Sequence, residues 1–136
     1  LEQSDFVSLN AAATTKNRGI IGEAELRRMK ESAYLINTAR GSLLDEAAMV
    51  RALSEGWIAG AALDCFVEEP LPTEHPLRSA PNVLLCPHMA PCAWGNAREM
   101  NRGVAQTILD LKAGKRPEWV VNSEVFESGA LRANLL

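Results

Sequence analysis

The sequence predicts an α/β fold built on a parallel sheet, and three observations carry that reading. Short runs of strand length alternate with helical patterns along the chain. The strand runs are almost continuously apolar, as strands of a buried parallel sheet are, and Gly, Pro and Asn punctuate the joins between elements. The chain has 136 residues, 47% of them hydrophobic and 5% aromatic, enough for one domain with a core that needs neither disulfides nor metals.

Residues 5–9 form the expected first strand, which ends in the polar Asn10. Residues 14–19 read as a loop. Residues 22–30 read as a short helix with acids early and bases late, the order that the helix dipole favours. The second strand is expected at 33–37. Gly41 then permits a sharp turn, and Asp45 and Glu46 open a helix with Ala48, Met49, Ala52 and Leu53 on one face, closing at Gly56. Residues 57–62 lead into a third strand that ends near Leu63 and Asp64. Three prolines between Pro70 and Pro76 make 68–76 an irregular loop, because proline lacks a backbone donor and breaks helices. Pro81 and Asn82 mark the turn into a fourth strand, 83–86. Residues 97–113 form the longest helix, striped by Met100, Val104, Ile108 and Leu111 and ended by Gly114. The sheet is expected to be covered on both faces.

Composition narrows the function. Fourteen Lys and Arg against 17 Asp and Glu give a net charge of −3, with the bases scattered, so no footprint for nucleic acid or an anionic membrane is expected. The longest apolar stretches, 58–63 and 83–86, fall far short of the roughly 20 residues of a membrane span. Cys65, Cys86 and Cys92 are odd in number and contain no CxxC pair, which fits reduced thiols in the cytoplasm. The start, Leu1 to Asp5, has no initiator Met and no signal-peptide pattern, so the chain is expected to begin inside a longer protein.

Ligands of open parallel sheets bind beyond the carboxyl ends of the strands, which singles out Asn10, Arg40, Asp64 and His88. The guanidinium of Arg40 suits a carboxylate held bidentately; an Arg on a turn is equally a plain surface residue. Asp64, between apolar neighbours, is costly to bury unless it accepts hydrogen bonds, so it either holds an amide or caps the following loop. His88 is able to trade a proton near neutral pH, with Glu69 as the natural carboxylate to stabilise its imidazolium. The plain alternatives are a structural histidine and a solvated loop charge. Cys86, His88 and Cys92 are soft ligands within seven residues, but their spacing departs from tetrahedral zinc patterns, and the cysteines read as small apolar residues. No metal site is expected.

Several segments together carry a resemblance. They include residues 4–9, Met29-Lys30, Leu35-Ile36-Asn37-Thr38-Ala39-Arg40-Gly41, Asp45-Glu46-Ala47-Ala48, Ala62-Leu63-Asp64, Glu69-Pro70-Leu71-Pro72, His75-Pro76-Leu77, Pro81-Asn82-Val83, Pro87-His88 and Val120-Val121-Asn122. The chain resembles the cofactor-binding half of the D-isomer-specific 2-hydroxyacid dehydrogenases, the family of phosphoglycerate, glycerate/hydroxypyruvate and D-lactate dehydrogenases. The resemblance implies a Rossmann-like half domain and hydride transfer between NAD or NADP and a small 2-hydroxy or 2-keto acid, in a protein that is a homodimer when full length. It implies that Arg40 binds the substrate carboxylate and carbonyl, that His88 exchanges the proton and that Glu69 orients and charges His88. Asp64 would hydrogen-bond the nicotinamide carboxamide, and Ala11, Thr38, Ala39, Arg40, His88, Met89 and Ala90 would lie along the cofactor.

The departures are local. Asn10-Ala11-Ala12-Ala13 stands where the family commonly has a His and a Pro, and Ala90-Pro91-Cys92 replaces a small, Gly-rich stretch. Trp94 either reshapes the substrate pocket or packs near a helix start. None of the nine glycines forms GxGxxG, so the first βαβ half with its pyrophosphate cradle is absent. Residues 1–122 are therefore expected to be the C-terminal part of the NAD-binding domain and 123–136 a tail without a matching motif. The whole is expected to be a dehydrogenase fragment, inactive alone. The alternative is a non-catalytic interaction or dimerisation module of the same fold, with an exposed sheet edge.

Overall fold

Four apolar runs become the strands β1 (Phe6–Leu9), β2 (Tyr34–Asn37), β3 (Gly60–Leu63) and β4 (Val83–Leu85) in a computed structural model that describes residues 1–92 and 94–128. They form one parallel sheet in the order β1-β2-β3-β4. The register pairs Leu9 with Asn37, Asn37 with Leu63 and Leu63 with Leu85. All four strands therefore stop at one edge, and the residues just past that edge are brought together.

The connections contain α1 (Glu23–Leu26), α2 (Glu46–Ser54) and a 3-10 turn at Pro76–Ser79. Asp45 caps α2 by accepting from the Ala48 N–H at 3.0 Å. The expected 22–30 helix is α-helical only over Glu23–Leu26, because the next amides, Arg28 and Met29, turn back to the carbonyls three residues earlier. The Pro-rich loop has no other regular structure, as its prolines require.

The expectation of helices on both faces holds for one face of this sheet. α1 packs against α2, and α2 against the 3-10 turn, so all three crossovers lie on the same side. Successive parallel neighbours joined by crossovers of one hand produce that arrangement. Leu35 and Leu63 point into this covered side and are buried with Leu26, Met49, Leu53 and Leu77. The alternate strand residues point the other way, where Phe6, Tyr34 and Leu84 are exposed and the Phe6 and Tyr34 rings stack at 5.7 Å.

The chain divides into two units, Leu1–Ala90 and Pro91–Leu136. The second contains α3 (Trp94–Lys112), which starts three residues before the expected 97, and Gly114 follows it with φ of 68°. Met100, Val104 and Ile108 of its apolar stripe are exposed.

Candidate active site

Asn37 builds the turn that presents Arg40. It ends β2 fully buried; its Nδ2 donates to the Arg40 carbonyl at 3.0 Å and its Oδ1 accepts from the Ala39 N–H at 3.1 Å. Sequence reasoning passed over this residue, although a polar group closing an apolar strand was a visible signal. Arg40 is exposed, and its Nη1 donates to the Ala39 carbonyl at 2.6 Å.

Asp64 builds the turn that presents His88. The Asp64 carbonyl accepts from the His88 N–H at 2.9 Å, while its Oδ1 and Oδ2 accept from the Met89 and Ala90 N–H groups at 2.7 and 2.8 Å. A buried carboxylate is tolerated here because backbone donors satisfy both oxygens. His88 has φ of 54°, a left-handed conformation that costs a non-glycine residue about 1–2 kcal/mol. Three hydrogen bonds to one residue hold it there.

Glu69 connects the two strand ends. Its Oε1 accepts from the Phe66 N–H at 2.9 Å, and its Oε2 lies 2.8 Å from His88 Nδ1. The Phe66 amide first, and His88 second, keep the Glu69 carboxyl below its ordinary 4.5, so it is an ionised acceptor at neutral pH. A carboxylate offers no proton, so Nδ1 carries the hydrogen, and Nε2 is the nitrogen outside that pairing on a part-exposed ring. The loop bearing Glu69 is itself tied down. Val67 N–H donates to Glu46 Oε1 at 2.8 Å, and Arg78 donates to the Leu71 and Pro72 carbonyls.

This arrangement predicts an acid-dependent contribution to stability. Because Glu69 titrates lower in the folded chain than in the unfolded one, its contribution is present above the unfolded pKa and is lost as pH falls through the folded one. The stability difference between the wild-type chain and Glu69→Gln, from urea unfolding, should be full above about pH 5 and shrink on acidification. A difference that widens on acidification would contradict the pairing.

Two hollows flank these residues. One, of about 510 Å³, is lined by Glu69 and His88 together with Phe66, Leu71, Arg78 and Cys86. The other, of about 460 Å³, is a groove bounded by Asn10, Ala11, Ala12, Ala13, Ala39 and Arg40. Its small side chains leave room against the backbone for a flat ring. The Asn10 amide folds back onto Ser8, and Thr38 is exposed at the same edge. Cys65, buried, donates its thiol to the Ala39 carbonyl that Arg40 also uses, and burial and then the Asp64 and Glu69 charges push its pKa up. Among the described residues, the metal-capable cluster is Cys65, Glu69 and His88; Cys86 and Cys92 do not enter it. The side chain of Trp94 lies outside the described residues.

The profile of the D-isomer specific 2-hydroxyacid dehydrogenase NAD-binding domain matches residues 1–90. The chain belongs to this family. A glyoxylate reductase of Korarchaeum cryptofilum is 46% identical over 127 residues, covering 93% of this chain and 38% of the relative. The solved D-isomer specific 2-hydroxyacid dehydrogenase of Lactobacillus delbrueckii ssp. bulgaricus, in its NAD-complexed form, superposes with a TM-score of 0.79 at 35% identity, over 89% of this chain and 41% of that one. A family member from Xanthobacter autotrophicus Py2, solved with NADPH, gives 0.71 at 36% identity over 87% and 48%. The chain thus spans 38% to 48% of the length of these relatives. Its four-stranded parallel sheet is the Rossmann-like half domain of the family's NAD-binding domains, and the chain is enzyme-like by that resemblance. Among the described residues no helix is long and apolar enough to cross a membrane.

Proposed function

We propose that this chain carries the acid–base half of a nicotinamide-dependent oxidoreductase that interconverts a small 2-keto acid and a D-2-hydroxy acid. One observation supports the reading above all: Glu69 fixes His88 through Nδ1 at 2.8 Å, beside the strand end that presents Arg40. In the reducing direction, Arg40 grips the substrate carboxylate with its planar fork and polarises the adjacent carbonyl. His88, protonated, gives its Nε2 proton to the carbonyl oxygen as that oxygen gains negative charge, and the ring ends neutral with Nδ1–H still on Glu69. In the oxidising direction the same nitrogen takes the hydroxyl proton. When bound, the nicotinamide supplies or accepts the hydride. The alanine-lined groove at residues 10–13 and 39 suits the face of such a ring, and Asp64 fixes the backbone of Met89 and Ala90 in the turn after β4.

None of the nine glycines forms GxGxxG, the turn that cradles a pyrophosphate, so the chain alone is expected to turn over no 2-keto acid. The test follows NADH or NADPH absorbance with glyoxylate or hydroxypyruvate, using this chain and a protein that includes upstream residues. Activity in the longer protein and none in the chain is expected; inactivity of both would overturn the reading. A second reading, an interaction or dimerisation module, draws on the exposed Phe6, Tyr34 and Leu84. Light scattering distinguishes it, since a stable dimer of this chain supports it and a monomer counts against its dimer form.

A further inference from the structure

The Cys65 thiol, which donates to the Ala39 carbonyl, takes no part in the proposed proton transfer, yet it lies beside Glu69 and His88. Its Sγ, a Glu69 carboxylate oxygen and a His88 ring nitrogen all lie within 4.8 Å of one another. The three groups come from separate pieces of chain: the residue after β3 plus one, the irregular loop, and the turn after β4. The fold assembles them, and no local spacing in the sequence announces them.

Thiolate, carboxylate and imidazole form a mixed set that suits zinc-class cations, whose tetrahedral sites need donors about 2.0–2.3 Å from the ion. Donors at that radius stand roughly 3.3–3.8 Å apart, so closing this cluster takes a movement on the order of 1 Å, within reach of side-chain rotation. Asp64 cannot compete as a ligand without giving up the Met89 and Ala90 amides. Charge favours the cation as well. With the thiol ionised, Cys65, Asp64 and Glu69 bring three negative charges against the two guanidiniums of Arg40 and Arg78, and a cation offsets the excess. The Glu69 and His88 side chains are 36% and 37% exposed, so a fourth position stays open to water.

We infer that Cys65, Glu69 and His88 form an inhibitory site for a thiol-seeking divalent cation of the zinc class. The cation bonds to the Cys65 sulfur, one Glu69 oxygen and one His88 nitrogen; the thiol proton leaves to solvent, and no electron is transferred. Occupation of the site stands independently of the proposed dehydrogenase chemistry. The consequence, that His88 is withdrawn from proton transfer, rests on it.

The test titrates cobalt(II), a spectroscopic stand-in for zinc, into the purified chain and follows the thiolate-to-cobalt charge-transfer absorption. A saturable band at one equivalent is expected, displaced by zinc, retained in Cys86→Ser and Cys92→Ser, and lost in Cys65→Val and in Cys65→Ser. Two replacements of Cys65, each checked for native circular dichroism, separate loss of a ligand from loss of fold. Zinc should also shift the His88 imidazole signals at the same stoichiometry. Absence of the band from the wild-type chain, its persistence without Cys65, or unmoved His88 signals would overturn the site. The readout is binding, so a negative result leaves the acid–base reading intact, and an inactive longer protein leaves the metal result intact.

Discussion

Gly41→Ala should cost the chain more than about 4 kcal/mol, enough to leave it unfolded or nearly so. A methyl group at Gly41 would land on the main chain of Phe66, at its carbonyl carbon, carbonyl oxygen and Cα. Backbone has no alternative rotamer, so relief requires the Arg40 turn and the loop after β3 at Phe66 to separate. The two sides of the site share that seam. Asn37 closes the Arg40 turn on one side of it, and the Phe66 N–H anchors Glu69 on the other. Gly95→Ala is the control, since a methyl group there meets nothing within 4 Å. Thermal unfolding followed by circular dichroism should show a cooperative transition for Gly95→Ala and none, or one at much lower temperature, for Gly41→Ala. A Gly41→Ala chain as stable as wild type would contradict the close approach of residues 41 and 66.

In a protein that includes the upstream residues, His88→Ala should lower turnover by about 100- to 10,000-fold, the range typical of a positioned acid–base group. KM should change far less if, as proposed, Arg40 supplies the substrate grip. His88→Asn sharpens the test. Asparagine tolerates the left-handed backbone seen at φ of 54°, so the turn held by Asp64 survives while the imidazole is removed. An equal loss in both variants assigns the effect to the ring. Near-normal turnover in either would remove His88 from proton transfer.

Much of this was legible from residue order. The four strands lie where the apolar runs put them, within a residue or so at the start or end of each, because a four-residue run between turn formers has few other uses. The Asp45 cap and the Gly56 stop of α2 are local signals and behaved as such. Glu69 and His88 were paired on chemistry alone, across 19 positions, and stand 2.8 Å apart. What stayed hidden depends on tertiary placement. The single-sided cover of the sheet follows from strand order, which periodicity does not encode. Asp64 offered two readings until the fold delivered the Met89 and Ala90 amides to it. Asn37 shows in the sequence only as a polar group closing an apolar strand, and its partners, the Arg40 carbonyl and the Ala39 amide, emerge only with the turn. Cys65 read as a small apolar residue, and only the meeting of three chain segments sets its sulfur beside Glu69 and His88.

Glu69 locks the proton of neutral His88 on Nδ1, and the proposed function needs Nε2 left to exchange with substrate. Nitrogen-15 correlation spectra of the imidazole in this chain, recorded above the titration of the ring, report that tautomer directly. The account predicts Nδ1–H in the wild-type chain and loss of that preference in Glu69→Gln. A wild-type ring protonated on Nε2, or a tautomer that Glu69→Gln leaves unchanged, would contradict it.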